Sequence, residues 1–238
     1  MNDLNSYLNK ELLNLPFNLF SIFSNYININ KDVKIAIVGG YIRDLLIKEI
    51  YNKPLFKPID IDIVIEGSAI CLAKFIKKNI KDVEICLIKE FEIYNTVEVN
   101  INNIKLDIAS ARKEIYSAPG LNPSVSDTNI KIDLKRRDFT INAIAFEIST
   151  KTIYDLHQGI EHIYKKELHL LHQKSIRDDP SRILRCAKYA SRLGFQISKD
   201  SLSQSKKEME AWPWETNQID YGIKFPPGIS IRIRMELS

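Results

Sequence analysis

The sequence predicts an α/β protein, with a head built from a mixed sheet and helices followed by an α-helical region. Three observations carry that expectation. Pro58 to Gly67 (PIDIDIVIEG) alternates strictly, with Ile59, Ile61, Ile63 and Ile65 to one side and Asp60, Asp62 and Val64 to the other, the period of a half-buried strand. Residues 35 to 38 (IAIV) form a β-type run that breaks at Gly39 and Gly40 and resumes at helical spacing through Leu45, Leu46 and Ile50. Further on, Ile183, Leu184, Ala187, Ala190 and Leu193 make a helical apolar stripe ending at Gly194, with Asp179 placed as N-cap and Pro180 at the first helical position.

Between these landmarks, Ser68 to Ile80 has helical spacing, and residues 83–89, 92–99 and 103–109 read as strands. The polar stretch 113–132, with Pro119, Gly120 and Pro123, reads as a long loop. Asp138 to Phe146 (DFTINAIAF) reads as a helix, and residues 152–155 as a short strand before a turn from Asp155 to Gly159. The expected division is a helical extension over 1–30, a head over 31–150 and a helical neck over 151–238.

Composition fits a globular chain: 45% of the 238 residues are hydrophobic and 27% charged, enough to bury a sizeable core. No apolar run approaches the roughly 18 residues of a membrane span. The start, Met1 to Glu11, lacks the basic-then-apolar order of a signal peptide, so the cytoplasm is the expected compartment and no membrane partner is expected. Cys71, Cys86 and Cys186 are odd in number and far apart, which suits small core residues and predicts no disulfide or zinc site. His157, His162, His169 and His172 likewise lack metal-ligand spacing. The net charge of +4 is too small to argue for nucleic acid, but its distribution is uneven. Lys135, Arg136 and Arg137 sit together, and Lys165, Lys166, Lys174, Arg177, Arg182, Arg185, Lys188 and Arg192 crowd a later stretch. Such runs also suit a solvated face.

Two carboxylates on one face of one strand, Asp60 and Asp62, repel each other and are costly to bury without a cation. Asp107, on the strand KLDIAS between Leu106 and Ile108, which face away from it, can bring a third. Acidic oxygens without His or Cys favour a hard divalent cation, Mg²⁺ first, and suit phosphoryl transfer. The same pattern also suits an edge strand whose aspartates keep the sheet soluble. Gly39 and Gly40 open a helix with Arg43 and Asp44 in its first turn, where backbone amides and Arg43 can meet a triphosphate; a tight strand-to-helix connection has the same glycines.

Four segments in order resemble a known family. GGYIRD at 39–44, DID at 60–62, RRDFTINA at 136–143 and DDPSRILRCAKYASRLGF at 178–195 look like the successive motifs of class II tRNA nucleotidyltransferases and bacterial poly(A) polymerases. The resemblance covers about residues 33–200 and implies a polymerase-β-like nucleotidyltransferase head followed by helical neck, body and tail domains. It implies that Asp60 and Asp62 are metal ligands and catalytic, with Asp107 a less firm third catalytic match. It implies that Gly39, Gly40, Arg43, Asp44 and Arg137 meet the nucleotide, and that Asp179 and Arg182, with Arg185 beside them, read the base. Lys188 stands where many members have another arginine, keeping the charge but losing the bidentate fork. The implied reaction is Mg²⁺-dependent transfer of CMP or AMP from CTP or ATP to the 3′ end of tRNA, releasing pyrophosphate.

Chemistry agrees with the base-reading assignment. Asp179, Arg182 and Arg185 are spaced by three, on one broad helical face. A carboxylate accepts from an exocyclic amine and a guanidinium donates to a ring nitrogen, the pattern shared by cytosine and adenine but not by uracil or guanine. A helix-capping aspartate with surface arginines gives the same spacing.

CCA, CC-only, A-only and poly(A) addition stay open, as does the oligomeric state. The resemblance implies a shortened loop near 113–132 in CC-only enzymes, so its length here speaks against them. Ile231 to Leu237 (IRIRMEL) resembles the opening of the family's next helical motif, which leads to the expectation of a truncated chain without body and tail, active or a non-catalytic nucleotide- and RNA-binding module. Trp212 and Trp214, in a polar connector, are expected to pack rather than stack on bases.

Overall fold

The computed structural model describes residues 2–55, 59–81, 85–102, 104–211 and 227–237. Trp212 and Trp214 lie outside them. Two helices come first, α1 (Asn2–Leu13) and α2 (Leu19–Ile29), then strand β1 (Lys34–Val38), α3 (Gly40–Tyr51), β2 (Ile59–Glu66) and α4 (Ala69–Asn79). A meander follows: β3 (Ile85–Phe91), β4 (Thr96–Ile101) and β5 (Ile104–Ser110). Next are the hairpin β6 (Arg112–Ile115) and β7 (Ser124–Asp127), the one-turn α5 (Ile130–Asp133), β8 (Ile144–Glu147) and β9 (Thr152–Asp155). The last part holds α6 (Gly159–Lys165), β10 (Glu167–Leu168), α7 (Ser175–Asp178), α8 (Arg182–Leu193), β11 (Gln196–Ile197), α9 (Lys199–Glu210) and α10 (Pro227–Leu237).

Seven strands form one mixed sheet in the order β3-β4-β5-β2-β1-β8-β9. β2 runs antiparallel to β1 and parallel to β5, so it sits at the centre. The alternation in PIDIDIVIEG does what its period requires. Ile61, Ile63 and Ile65 enter the large core with Leu8 and Leu12 of α1, Phe23 of α2, Leu45 and Leu46 of α3 and Leu72 of α4. Each fully buried side chain of this kind contributes about 1.5–3 kcal/mol. On the other face, Val64 joins a small cluster with Ala36, Val38, Ile130, Leu134 and Ala145. That cluster covers only part of the face and leaves the aspartates uncovered.

The structure differs from expectation in several places. DFTINAIAF is not a helix: Thr140–Asn142 is a single 3-10 turn and Ile144–Glu147 is β8, buried at every position between β1 and β9. A strand buried on both faces shows no alternation, so a short apolar run cannot be told from a helix by its period. The polar stretch 113–132 holds the β6–β7 hairpin and α5, because Lys113 pairs with Ser126 and Ile115 with Ser124 across a solvent-exposed ribbon. Glu92–Tyr94 is a 3-10 turn, so the strand placed at 92–99 begins at Thr96. β9 belongs to the large sheet although it lies past residue 150, where the sequence places the boundary. Cys186 is buried, but Cys71 is exposed on the outer side of α4; the side chain of Cys86 lies outside the described set.

α6 meets the 3-10 turn so closely that a Cβ on Gly159 would lie 2.4 Å from the Thr140 carbonyl oxygen and 2.7 Å from Ile144 Cγ1. Gly159→Ala should lose about 1–3 kcal/mol in urea unfolding, the usual cost of overpacking. Unchanged stability would show that α6 does not sit against this turn.

Candidate active site

Parallel pairing of β2 with β5 sets Asp60 opposite Lys105 and Asp62 opposite Asp107. All four side chains therefore share the face opposite the large core. Asp62 is the more enclosed carboxylate: burial first, then Asp60 and Asp107, push it up to about 6 against the opposing pull of Arg137 and a hydrogen bond from the Gly40 backbone N–H. Asp60 is raised as well, by partial burial and then by the charge of Asp107. Asp107 converges less than the sequence suggests, because Lys105 Nζ reaches its Oδ2 at 2.7 Å. Among the described residues no three His, Cys, Asp or Glu side chains close into a metal cage. The Asp60–Asp62 pair, two carboxylates raised by their surroundings and offering only oxygen donors, fits a hard divalent cation.

The glycine turn is held against this pair. Gly39 has φ of +72°, and a Cβ there would lie 2.7 Å from Asp62 Oδ2 and 3.1 Å from Arg137 Nη1. Only glycine combines that dihedral with that gap. A cavity of about 170 Å³ opens at the N-terminus of α3, lined by Gly39, Gly40, Arg43, Asp44, Asp60, Asp62, Arg137, Arg185 and Arg192, among others. Arg43 is only 2% exposed. Its Nε and Nη2 bind Asp44 Oδ1 at 2.7 and 2.6 Å and its Nη1 binds Asn142 Oδ1 at 2.7 Å. The structure therefore gives Arg43 more to hold within the protein than the sequence suggests.

A second cavity, about 630 Å³, continues past Arg137 and Asp138 and is lined by Asp179, Arg182, Arg185, Tyr116 and Arg232. Asp179 stands just before α8, which begins at Arg182 with Ser181 as its N-cap, two residues later than expected. Its Oδ1 accepts from Ser181 N at 3.1 Å and from Ser181 Oγ at 2.7 Å, so it does cap this turn, and Arg232 Nη1 lies 3.3 Å away. Arg182 donates from Nη1 to Ser175 Oγ at 3.1 Å and from Nη2 to the Arg136 carbonyl at 2.8 Å. That leaves three of its five N–H groups outside these two bonds. Lys188 is turned toward Glu236 Oε2 at 3.7 Å and lines neither cavity. Arg137 lines both cavities and a third of about 380 Å³ that holds Asp62, Lys105 and Asp107.

Two residues that sequence reasoning passed over hold this arrangement together. Asp138 Oδ1 accepts from Phe139 N at 2.7 Å and Asn142 Nδ2 at 3.0 Å, while Oδ2 accepts from Arg185 Nε at 2.9 Å and Nη2 at 2.6 Å. Burial alone would raise this carboxyl, but Arg185, then Arg182 and the Asn142 amide hold it below the usual carboxylate range. Both residues lie inside RRDFTINA, four apart; what the sequence does not show is their meeting with Arg185, 47 positions on from Asp138. The histidines take structural places: His162 and His169 stack with centroids 3.8 Å apart, and burial, then Arg182, push His172 down to about 4. Asp138→Ala should cost about 1–3 kcal/mol, because it leaves the Phe139 N–H and the Asn142 amide without their acceptor and Arg185 with only the Glu236 carboxylate among the described residues. In urea unfolding, the loss in Asp138→Ala/Arg185→Ala should be well below the sum of the single losses. Additive losses would show that the two side chains are not coupled.

Residues 35–169 match the family described as the poly A polymerase head domain. The A-adding tRNA nucleotidyltransferase of Aquifex aeolicus is 37% identical over 169 residues, 69% of this chain and 19% of that protein. The CC-adding tRNA nucleotidyltransferase of Deinococcus radiodurans is 30% identical over 182 residues, 73% of this chain and 44% of that one. A solved CCA-adding enzyme in an apo form superposes with a TM-score of 0.73 at 28% identity, over 96% of this chain and 50% of that chain. A tRNA nucleotidyltransferase complexed with a primer tRNA and an incoming ATP analog gives 0.67 at 29% identity, over 89% and 54%. The chain thus spans no more than about half the length of these proteins. A match that begins in β1 and runs past β10, over the acidic strand, the glycine turn and Asp138 alike, means that this chain belongs to the poly A polymerase head-domain family.

Proposed function

We infer that the chain transfers CMP or AMP from CTP or ATP to the 3′ end of tRNA, without a nucleic-acid template and with release of pyrophosphate. The observation that carries this reading is the continuity of three cavities around Arg137, which joins the Asp60–Asp62 face to the chamber containing Asp179 and Arg182. Relatives at 30% identity or more named for A-adding and CC-adding support it. Asp60 and Asp62 would hold Mg²⁺, which when bound supplies charge neutralisation at the reacting phosphate. The N-terminus of α3 receives the triphosphate at the glycine turn, where Gly39 and Gly40 have no side chain to block its approach, with Arg137 as the shared cation. Asp179 accepts from the exocyclic amine of cytosine or adenine, and Arg182 donates to the ring nitrogen. Uracil and guanine present a carbonyl and a ring N–H there, and so meet acceptor with acceptor and donor with donor. Asp44 and Arg185 act by holding Arg43 and Asp138. Lys188 stands further out, at the edge shared with Glu236.

Asp60→Asn and Asp62→Asn should each reduce label transfer from α-labelled CTP or ATP onto tRNA ends by about 100-fold or more, since each removes charge from the cation site. Near-normal rates in Mg²⁺ would move the cation site elsewhere. No transfer by the unaltered chain onto tRNA ending in C, CC or the bare discriminator base would instead leave it a non-catalytic binding module.

Base choice is tested separately. In Asp179→Ala the preference for CTP over UTP should fall by about 1–3 kcal/mol, the discrimination of one good base contact. Arg137→Met should weaken CTP, ATP and UTP alike. If Asp179→Ala loses all nucleotides in proportion, its role is confined to the Ser181 turn.

A further inference from the structure

Phe91 is an aromatic side chain in an unusual place. It ends β3 directly before the Glu92–Tyr94 turn, is 50% exposed, and among the described residues belongs to neither buried cluster. Its backbone is nevertheless fixed, because it pairs with Thr96 across the β3–β4 ladder. Half exposure alone is ordinary, and Ile93 two residues on is more exposed still; what sets Phe91 apart is what it faces.

It faces the junction of two cavities. Phe91 lines both the chamber of Asp179 and Arg182 and the chamber of Asp62, Lys105 and Asp107. Four side chains share both linings, Phe91, Thr96, Arg136 and Arg137, and Phe91 is the aromatic one. Tyr94 lies beside it, but Arg112 already covers that ring at 5.4 Å. Charged groups of both signs line the two chambers, Arg112, Arg136, Arg137 and Lys105 alongside Glu114, Asp179, Glu98 and Asp107. A flat apolar surface rimmed by arginines suits a nucleobase carried on a phosphate backbone.

We propose that Phe91 is the stacking platform for the terminal base of the acceptor RNA; this rests on the transfer reaction inferred above. The incoming base occupies the Asp179 chamber, so the RNA end that presents its 3′-hydroxyl to the Asp60–Asp62 face enters from the Asp107 chamber. Its last base then falls at the junction, over Phe91. Stacking does not read hydrogen bonds, so one ring serves every end the enzyme meets, purine or pyrimidine. It also accounts for an aromatic residue at a junction whose other shared side chains are Thr96, Arg136 and Arg137.

Phe91→Ala should raise KM for tRNA ending in C or CC by about 5- to 150-fold, the range for losing one base–aromatic stack, with KM for CTP and ATP within about twofold of the parent. Phe91→Trp should restore RNA affinity. An effect confined to CTP and ATP, or an unchanged KM for RNA in Phe91→Ala, overturns the inference. A second measurement needs no turnover, so it decides the matter even if the unaltered chain transfers nothing. A short single-stranded RNA ending in CC should quench the added indole of Phe91→Trp, read as the difference from the parent containing Trp212 and Trp214, and the same RNA with an abasic 3′ nucleotide should not. Equal quenching by both RNAs, or none by either, removes the platform.

Discussion

A buried carboxylate, Asp138, holds the two halves of the site in one place. Its oxygens take the Phe139 amide, the Asn142 side chain and both arms of the Arg185 fork, and Asn142 passes the linkage on to Arg43. The chain Arg43–Asn142–Asp138–Arg185 therefore ties the helix after the glycine turn to the helix that carries Arg182. Removing such a charge from water is expensive, and only a near-complete set of donors offsets it. Every cavity of the site except the one at Asp107 has Asp138 in its wall.

The arginines expected to grip substrate are largely committed to protein partners. Arg43 holds Asp44 and Asn142, Arg136 holds Asp133 and Glu114, and Arg182 spans Ser175 and the Arg136 carbonyl. That commitment fixes each guanidinium plane, which lowers the ordering cost when an anion or a base arrives. Arg137 is the exception, with a buried Nε that has no described partner and a long 3.4 Å approach to Asp133.

How much of this was legible in the sequence depended on the period of each segment. The alternation of Ile59 to Ile65 gave the strand, its core face and the acidic face together, because a half-buried strand writes its geometry directly into polarity. The glycine turn was legible too, since a positive φ beside Asp62 admits little else. RRDFTINA was not, because Ile144 to Phe146 are buried on both faces and Thr140 bonds to the His169 carbonyl, a partner 29 positions away that no local pattern reports. Asp138 was hidden because its charged partner, Arg185, lies 47 positions away. Asp179 was placed at a helix start, but its reach to Arg232 depends on α10, far along the chain. Phe91 fell between the strands read at 83–89 and 92–99, and only the structure shows it at the end of β3.

The parallel pairing of β2 with β5 also has a consequence for assembly. Asp62 and Asp107 become neighbours only after the chain has passed through α4, β3 and β4, and β1 meets β8 later still. The acidic face is therefore a product of non-local closure, which is slow compared with forming the flanking helices. Until β5 arrives, β2 offers an open edge backed by a row of isoleucines, the kind of segment that pairs wrongly with a second chain. Asp60 and Asp62 put two like charges on that edge, and two chains meeting there would bring four together. The pair on the acidic face of the finished fold thus also sets like charges against one another where two unfinished chains meet.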